Sequence, residues 1–339
     1  MRHRFIRSAL MVMLWSVLAL SVQAQDYPSK PITLIVPQNP GGTNDLVGRT
    51  VAQRLSQQLG VGVVVENRPG AGGNIGTVAA AKAPKDGYTL LLTISSSQAI
   101  NPALYKNPGF DPVKDFVPLG MVGSVPNVLV VNPSFPARNL EDFLKLVKAQ
   151  PGKFPYASAG NGTLNHLLGE MLNSMAGVEL QHIPYKGVAP AMNDLMGGQV
   201  PMAFASLPSV LGHLKSGRLV AIGVSSAERS PALPDVPAIA EKVKGYSGTL
   251  WVALFGPQGL PKAVEHKLQE AMTQIMAQGE TQAALAAQGV EIARMTPAQL
   301  TQTLQEDLVR WARIVKSSDR KSTRLNSSHI PLSRMPSSA

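Results

Sequence analysis

Two glycine-rich loops hold the residues best suited to gripping a ligand. The first is Pro37-Gln38-Asn39-Pro40-Gly41-Gly42-Thr43-Asn44-Asp45. It leaves the apolar run Ile32-Thr33-Leu34-Ile35-Val36. It enters a segment with Val47, Val51, Leu55 and Leu59 at four-residue spacing, which predicts a helix face. In such a strand–loop–helix unit the first helical amides point outward without intrahelical partners. Those amides and the helix dipole attract anions. Pro40, Gly41 and Gly42 make the turn, and Asp45 or Thr43 can cap the helix. Read alone, the segment fits either an anion cradle or a tight turn with an ordinary cap.

The second loop repeats the device. Phe154-Pro155-Tyr156-Ala157-Ser158 reads as a short strand, and Leu167, Leu168, Met171 and Leu172 mark the helix that follows. Between them stand Ser158, Ala159, Gly160, Asn161, Gly162 and Thr163, with hydroxyl donors at Ser158 and Thr163. His166 is expected to fix the loop by a hydrogen bond rather than to act as a base.

Two further segments carry less. Gly70-Ala71-Gly72-Gly73-Asn74-Ile75-Gly76 suggests a dinucleotide fingerprint, but the third glycine of that motif would fall at Ile75. Nucleotide binding is not expected there. Lys186, in His182-Ile183-Pro184-Tyr185-Lys186-Gly187, can neutralise an anion or stand as an ordinary solvated charge. Catalytic signatures are missing: no Gly-x-Ser-x-Gly elbow, no phosphate loop, no metal spacing among the six histidines. No metal or cofactor is expected.

The elements that must position these loops alternate. Val61 to Val65, Tyr88 to Thr93, Val128 to Val131 and Leu219 to Val224 read as strands. Strands alternating with helices predict an α/β fold with mostly parallel sheets. Asn139 is placed to cap a helix through Leu140, Phe143, Leu144 and Val147. Near the end, Val264, Leu268, Met272 and Ile275 share one helix face. Thr296-Pro297-Ala298-Gln299 offers a capping box, followed by a stripe of Leu300, Leu304, Leu308, Trp311 and Val315.

Both ends are set apart by composition. Residues 1–24 read as a secretory leader: Arg2, Arg4 and Arg7, an apolar run, then Val22-Gln23-Ala24 as a cleavage site. Export is therefore expected. From Asp319 the composition changes abruptly, and the helical stripe is expected to end near Val315. Asp319 to His329 and Met335 to Ala339 match a sequencing-library adapter translated in frame, so 319–339 is expected to be a non-native tail.

The net charge of +10 loses most of its meaning on that division. The leader carries three arginines and the tail a net +3, leaving +4 for the body. Lysines and arginines form no run and aromatics are few, which argues against a nucleic-acid partner. The mild positive balance suits anionic ligands. The chain has no cysteine, which excludes disulfides, thiol catalysis and cysteine metal sites.

Taken in order, several segments resemble the tripartite tricarboxylate transporter receptor family, also called Bug proteins. They are Tyr27 to Ile32, Val36 to Asp45, Glu66 to Gly73, Ala99 to Tyr105, Ser158 to Leu167, Ile183 to Gly187 with Pro190-Ala191, Asp194 to Val200 and Leu233 to Pro237. The resemblance implies a two-lobed, type II periplasmic-binding-protein fold with two crossover strands. Lobe 1 would comprise residues 25–125 and 251–318, lobe 2 residues 126–250, with crossovers near Val125 to Val128 and Gly248 to Val252. It implies a small carboxylate ligand held by Pro40, Gly41, Gly42 and Asp45 from one lobe. Ser158, Ala159, Gly160, Gly162 and Thr163 would hold it from the other. It implies no catalysis, a periplasmic location, a monomer, and separate integral-membrane permease subunits as partners. A sensor subunit for a membrane kinase, or an enzyme acting on small acids, are the alternatives. Two positions depart from the family's pattern: Gln38, where an aromatic residue is usual, and Ala205-Ser206, where acidic or amide residues are common.

Overall fold

The computed structural model describes residues 27–328, and side chains as far as residue 316. The expected leader lies outside the described residues. The first strand, β1 (Ile32–Val36), is the apolar run read above, and four of its five residues are buried. It feeds α1 (Thr43–Leu59), which buries Val47, Val51 and Leu55 and stops at Gly60 in the left-handed region, φ +71°. Next come β2 (Val63–Asn67), α2 (Asn74–Ala81), β3 (Thr89–Ile94) and the short α3 (Asn101–Leu104).

β4 (Phe116–Val131) is 16 residues long. Its apolar end, Val128 to Val131, was legible in the sequence. Its first part was not, because Pro118, Gly120, Gly123 and Pro126 interrupt the pattern. Two register shifts against a partner strand accommodate these residues. Then follow α4 (Leu140–Ala149), β5 (Pro155–Ser158), α5 (Leu164–Ala176), β6 (Gln181–Pro184), α6 (Val188–Met196), β7 (Met202–Ser206), α7 (Leu207–Lys215) and β8 (Val220–Val224). The chain ends through β9 (Thr249–Pro257), α8 (Lys262–Ala277), α9 (Gly279–Ala286), β10 (Glu291–Ile292) and α10 (Pro297–Ser328).

The strands run in the order β2-β1-β3-β9-β4-β7-β5-β6, with β8 and β10 also paired to β4. The expected parallel sheets are the two wings: β1 with β2 and β3, and β5 with β6 and β7. Between them β9 and β4 run antiparallel to their neighbours. β4 pairs with β9 as far as Pro126, opposite Thr249, and with β7 from Asn127, opposite Ser206. One long strand therefore serves both halves of the sheet.

Side-chain alternation sorts the second wing into two cores. Leu129, Val131, Tyr156, Met202 and Phe204 join the large core that extends through the first wing. Val128, Val130, Ala157, Ala203 and Ala205 face a smaller one with Met192, Leu195 and Leu211. That is the period of two expected for strands covered by helices on both faces.

The expected caps are present. The Asn139 side chain accepts from the Asp142 amide, and Thr296 and Gln299 form the reciprocal box. α10 itself runs on to Ser328, past the expected end of its apolar stripe near Val315. No proline or glycine stands between Lys316 and Ser328 to stop it. The side chains of the suspected tail lie outside the described residues.

Candidate functional site

A cavity of about 610 Å³ lies between the two wings. Five helices begin on its wall. Their N-cap residues, Gly42 of α1, Gly73 of α2, Thr163 of α5, Gly187 of α6 and Ser206 of α7, all line it. Among the described residues, Lys186 is the only Asp, Glu, Lys, Arg or His on that wall. Helix starts with their positive dipole ends and one ammonium group together make a surface for a negatively charged ligand.

The residues singled out in the two loops divide between the wall and its support. Pro40, Gly42, Ala159, Gly160 and Thr163 line the cavity, while Gly41, Asp45, Ser158 and Gly162 do not. Asp45, 3 % exposed, accepts from the Gly41 amide at 2.9 Å and from Asn67 at 3.0 Å, and pairs with Arg49 at 2.8 Å. It therefore ties the loop to the turn below. It does not cap α1, whose N-cap Gly42 receives no side-chain bond. Burial opposes ionisation of this carboxyl, but the hydrogen bonds from Gly41, Arg49 and Asn67 outweigh it and hold the group below its ordinary value.

The second loop is pinned the same way. Gly162 donates its amide to His166 Nδ1 at 3.1 Å, the loop-fixing bond expected of that histidine. Ser158, 1 % exposed, takes the Gly160 amide at 3.1 Å and meets His182 Nε2 at 2.6 Å. The His166 and His182 rings stack, with centroids 4.0 Å apart. Burial, reinforced by His166, pushes His182 down to about 3, so the imidazole is neutral at ordinary pH. The hydroxyl of Ser158 is thus held below the cavity wall rather than presented to it.

The sequence reading missed part of the site. The Gly70–Gly73 loop, rejected as a nucleotide fingerprint, lines the cavity, as do Tyr105, Asn165, Tyr185 and Ser206. A glycine run between a strand and a helix was the available signal for the loop. Gln38 binds it in place: its Nε2 donates to Ser97 Oγ at 2.7 Å, and the Ser97 hydroxyl donates to the Gly72 carbonyl at 3.1 Å. The Asn44 amide donates to Gln38 Oε1. Gln38 is therefore both wall and fastening. A Cβ on Gly73 would stand 2.8 Å from Gln38 Nε2, which explains the glycine there.

The two sides of the cavity touch. The Asn39 side chain donates to the Lys186 carbonyl at 3.3 Å, and Thr43 Oγ1 hydrogen-bonds Ser206 Oγ. Among the described residues no helix is long and apolar enough to cross a membrane.

The fold is that of the periplasmic binding proteins. The periplasmic binding protein BugD superposes with a TM-score of 0.81 at 37 % identity, over 86 % of this chain and 99 % of that one. R. palustris Rpa4515, solved with adipate, superposes with a TM-score of 0.83 at 32 % identity, over 87 % and 99 %. Protein BugT of Bordetella pertussis is 38 % identical over 308 residues, 90 % of this chain and 94 % of that one. The model of the tripartite tricarboxylate transporter family receptor matches residues 47–319, and the chain belongs to that family.

Proposed function

We propose that this protein captures a small carboxylate outside the cytoplasmic membrane and delivers it to separate membrane permease subunits, without transforming it. The observation that carries the reading is the set of five helix starts around a cavity whose wall, among the described residues, has one lysine and no acidic residue. Family membership and the adipate in Rpa4515 support it. The ligand would be held chiefly by those main-chain amides of the loops at Gly41 to Thr43, Gly70 to Gly73 and Ala159 to Thr163 that are not already donated within the loops. Asp45, Ser158 and Gly162 would act from behind by fixing loop shape.

The lobes in this reading are residues 25–125 with 251–318, and residues 126–250. They meet at β4 and β9, so a bend in those strands would open and close the cavity. Ligand would favour the closed form because only there do both walls reach it. The test is isothermal titration of the purified protein against C4 to C6 dicarboxylates, with NMR of each acid over time. Saturable binding with no chemical change is expected. Loss of any acid by turnover, or no binding across the panel, would overturn the reading.

A further inference from the structure

Behind the cavity wall a chain of buried hydrogen bonds runs from a lining residue to both crossing strands. It starts at Asn165, the second residue of α5, which lines the cavity and is 8 % exposed. Asn165 Nδ2 donates to Asn127 Oδ1 at 2.7 Å. Asn127 is where β4 changes partners, one residue past its last pairing with β9 and opposite Ser206 of β7. Its main-chain N–H donates to Ser225 Oγ at 2.9 Å rather than to a strand carbonyl. The Ser225 hydroxyl donates to the carbonyl of Gly248 at 2.6 Å, immediately before β9 begins. Main-chain bonds from Ser225 to Asn127 and from Gly248 to Ser225 close the knot.

Asn127 and Ser225 are fully buried, and Asn127 Nδ2 has no partner. An unpaired amide donor in such a place is destabilising. The amide is explained by what its oxygen does. It fixes the direction of the Asn165 side chain and locks the first turn of α5 to the point where β4 passes between the two halves. With one Nδ2 hydrogen committed to Asn127, Asn165 has its Oδ1 and its second Nδ2 hydrogen left for the cavity.

We propose that Asn127 and Ser225 are positioning residues that couple occupancy of the cavity at Asn165 to the geometry of the crossing strands. They touch no ligand themselves. A ligand that engages Asn165 holds it against Asn127, and the Ser225 bridge then holds β4 and β9 together at the entrance to the second half. This inference rests on the reading of the cavity as a ligand site.

The absence of cysteine permits a direct test. Cysteines at the exposed positions Gln53 on α1 and Lys148 on α4 carry spin labels on opposite sides of the cavity. Distance distributions are recorded with and without adipate, and adipate affinity is measured in parallel. In ligand-free protein, Asn127→Leu and Ser225→Ala should broaden the distribution, while Ser225→Thr, which keeps the hydroxyl, should restore it. Asn127→Leu should also weaken adipate binding at least tenfold, and Asn127→Leu with Asn165→Ala should bind no worse than the weaker single variant. Should Asn127→Leu not fold, the Ser225→Ala and Ser225→Thr pair decides alone. Unchanged ligand-free distributions, or fully additive losses, would overturn the inference. If the parent protein binds no acid, the ligand reading fails, and the ligand-free distributions still decide whether the knot governs the crossing strands.

Discussion

The side-chain amide of Asn39 donates to the main-chain carbonyl of Lys186, 3.3 Å away and 147 residues further along the chain. Asn39 lies in the loop before α1, and Lys186 in the loop before α6. The bond therefore spans the cavity, and it can exist only while the two walls are close. Asn39→Ala should leave the fold intact and raise the ligand dissociation rate. A single neutral hydrogen bond is worth about 0.5–1.5 kcal/mol, which corresponds to a loss of roughly two- to tenfold. Stopped-flow release from a preloaded protein measures it, and an unchanged rate would show that the contact plays no part in retention.

Gly162 has φ +75°, and a Cβ there would overlap Leu104 Cδ1 from the opposite side of the cavity. Gly41 has φ +78° with open space around it. Both conformations disfavour L-residues, but only Gly162 also meets a steric wall. Gly162→Val should reduce affinity at least tenfold and Gly41→Val less, with circular dichroism of both unchanged. The opposite ranking by titration calorimetry would contradict this account.

Asp45 supports the first loop through three partners. Removing its carboxylate in Asp45→Ala leaves the Gly41 amide without its acceptor and takes from Asn67 Nδ2 one of two acceptors, the Gln38 carbonyl remaining, which should destabilise the protein by about 1–3 kcal/mol. Asp45→Asn keeps an acceptor and should be milder. Urea denaturation at neutral pH compares them, and equal effects would mean that the hydrogen bonds do not matter.

Acid should loosen the second loop. His182 has a lowered folded-state value of about 3, so between that value and its ordinary range the unfolded chain binds the extra proton. Its contribution to stability is therefore complete above the ordinary histidine range and is lost as pH falls towards 3. Asp45, also lowered, adds a loss as pH falls through the carboxylate range. His182→Gln should flatten the dependence of urea midpoint on pH between about 6.5 and 4. A slope identical to that of the parent protein would rule out His182 as its source.

Among the described residues, Lys186 is the single ammonium on the cavity wall. Lys186→Gln should weaken binding of a dicarboxylate more than that of its monoamide, and should reduce the salt dependence of affinity. Equal losses for the two ligands would show that the charge is not directed at the ligand.

The sequence alone determined whatever depends on neighbours along the chain. The apolar run of β1, the caps at Asn139 and Thr296, and the strand–glycine–helix form of both loops are local patterns, and each stands in the structure as read. It also determined that the cavity has neither thiols nor disulfides, since the chain contains no cysteine. What tertiary structure decided is which of those residues face the cavity. Asp45 and Ser158 sit beside lining residues in sequence but are buried behind the wall, where Asn67 and His182 engage them; Gly41 and Gly162 also stand off the wall. The length of β4 was hidden because prolines and glycines break its alternation, and pairing with β9 and β10 holds that stretch extended. The Gln38–Ser97–Gly72 fastening and the Asn39–Lys186 bond join residues 59, 25 and 147 positions apart. No pattern along the chain encodes such distances. They arise when burial of the apolar strands brings the two wings, and the helix starts they carry, around one space.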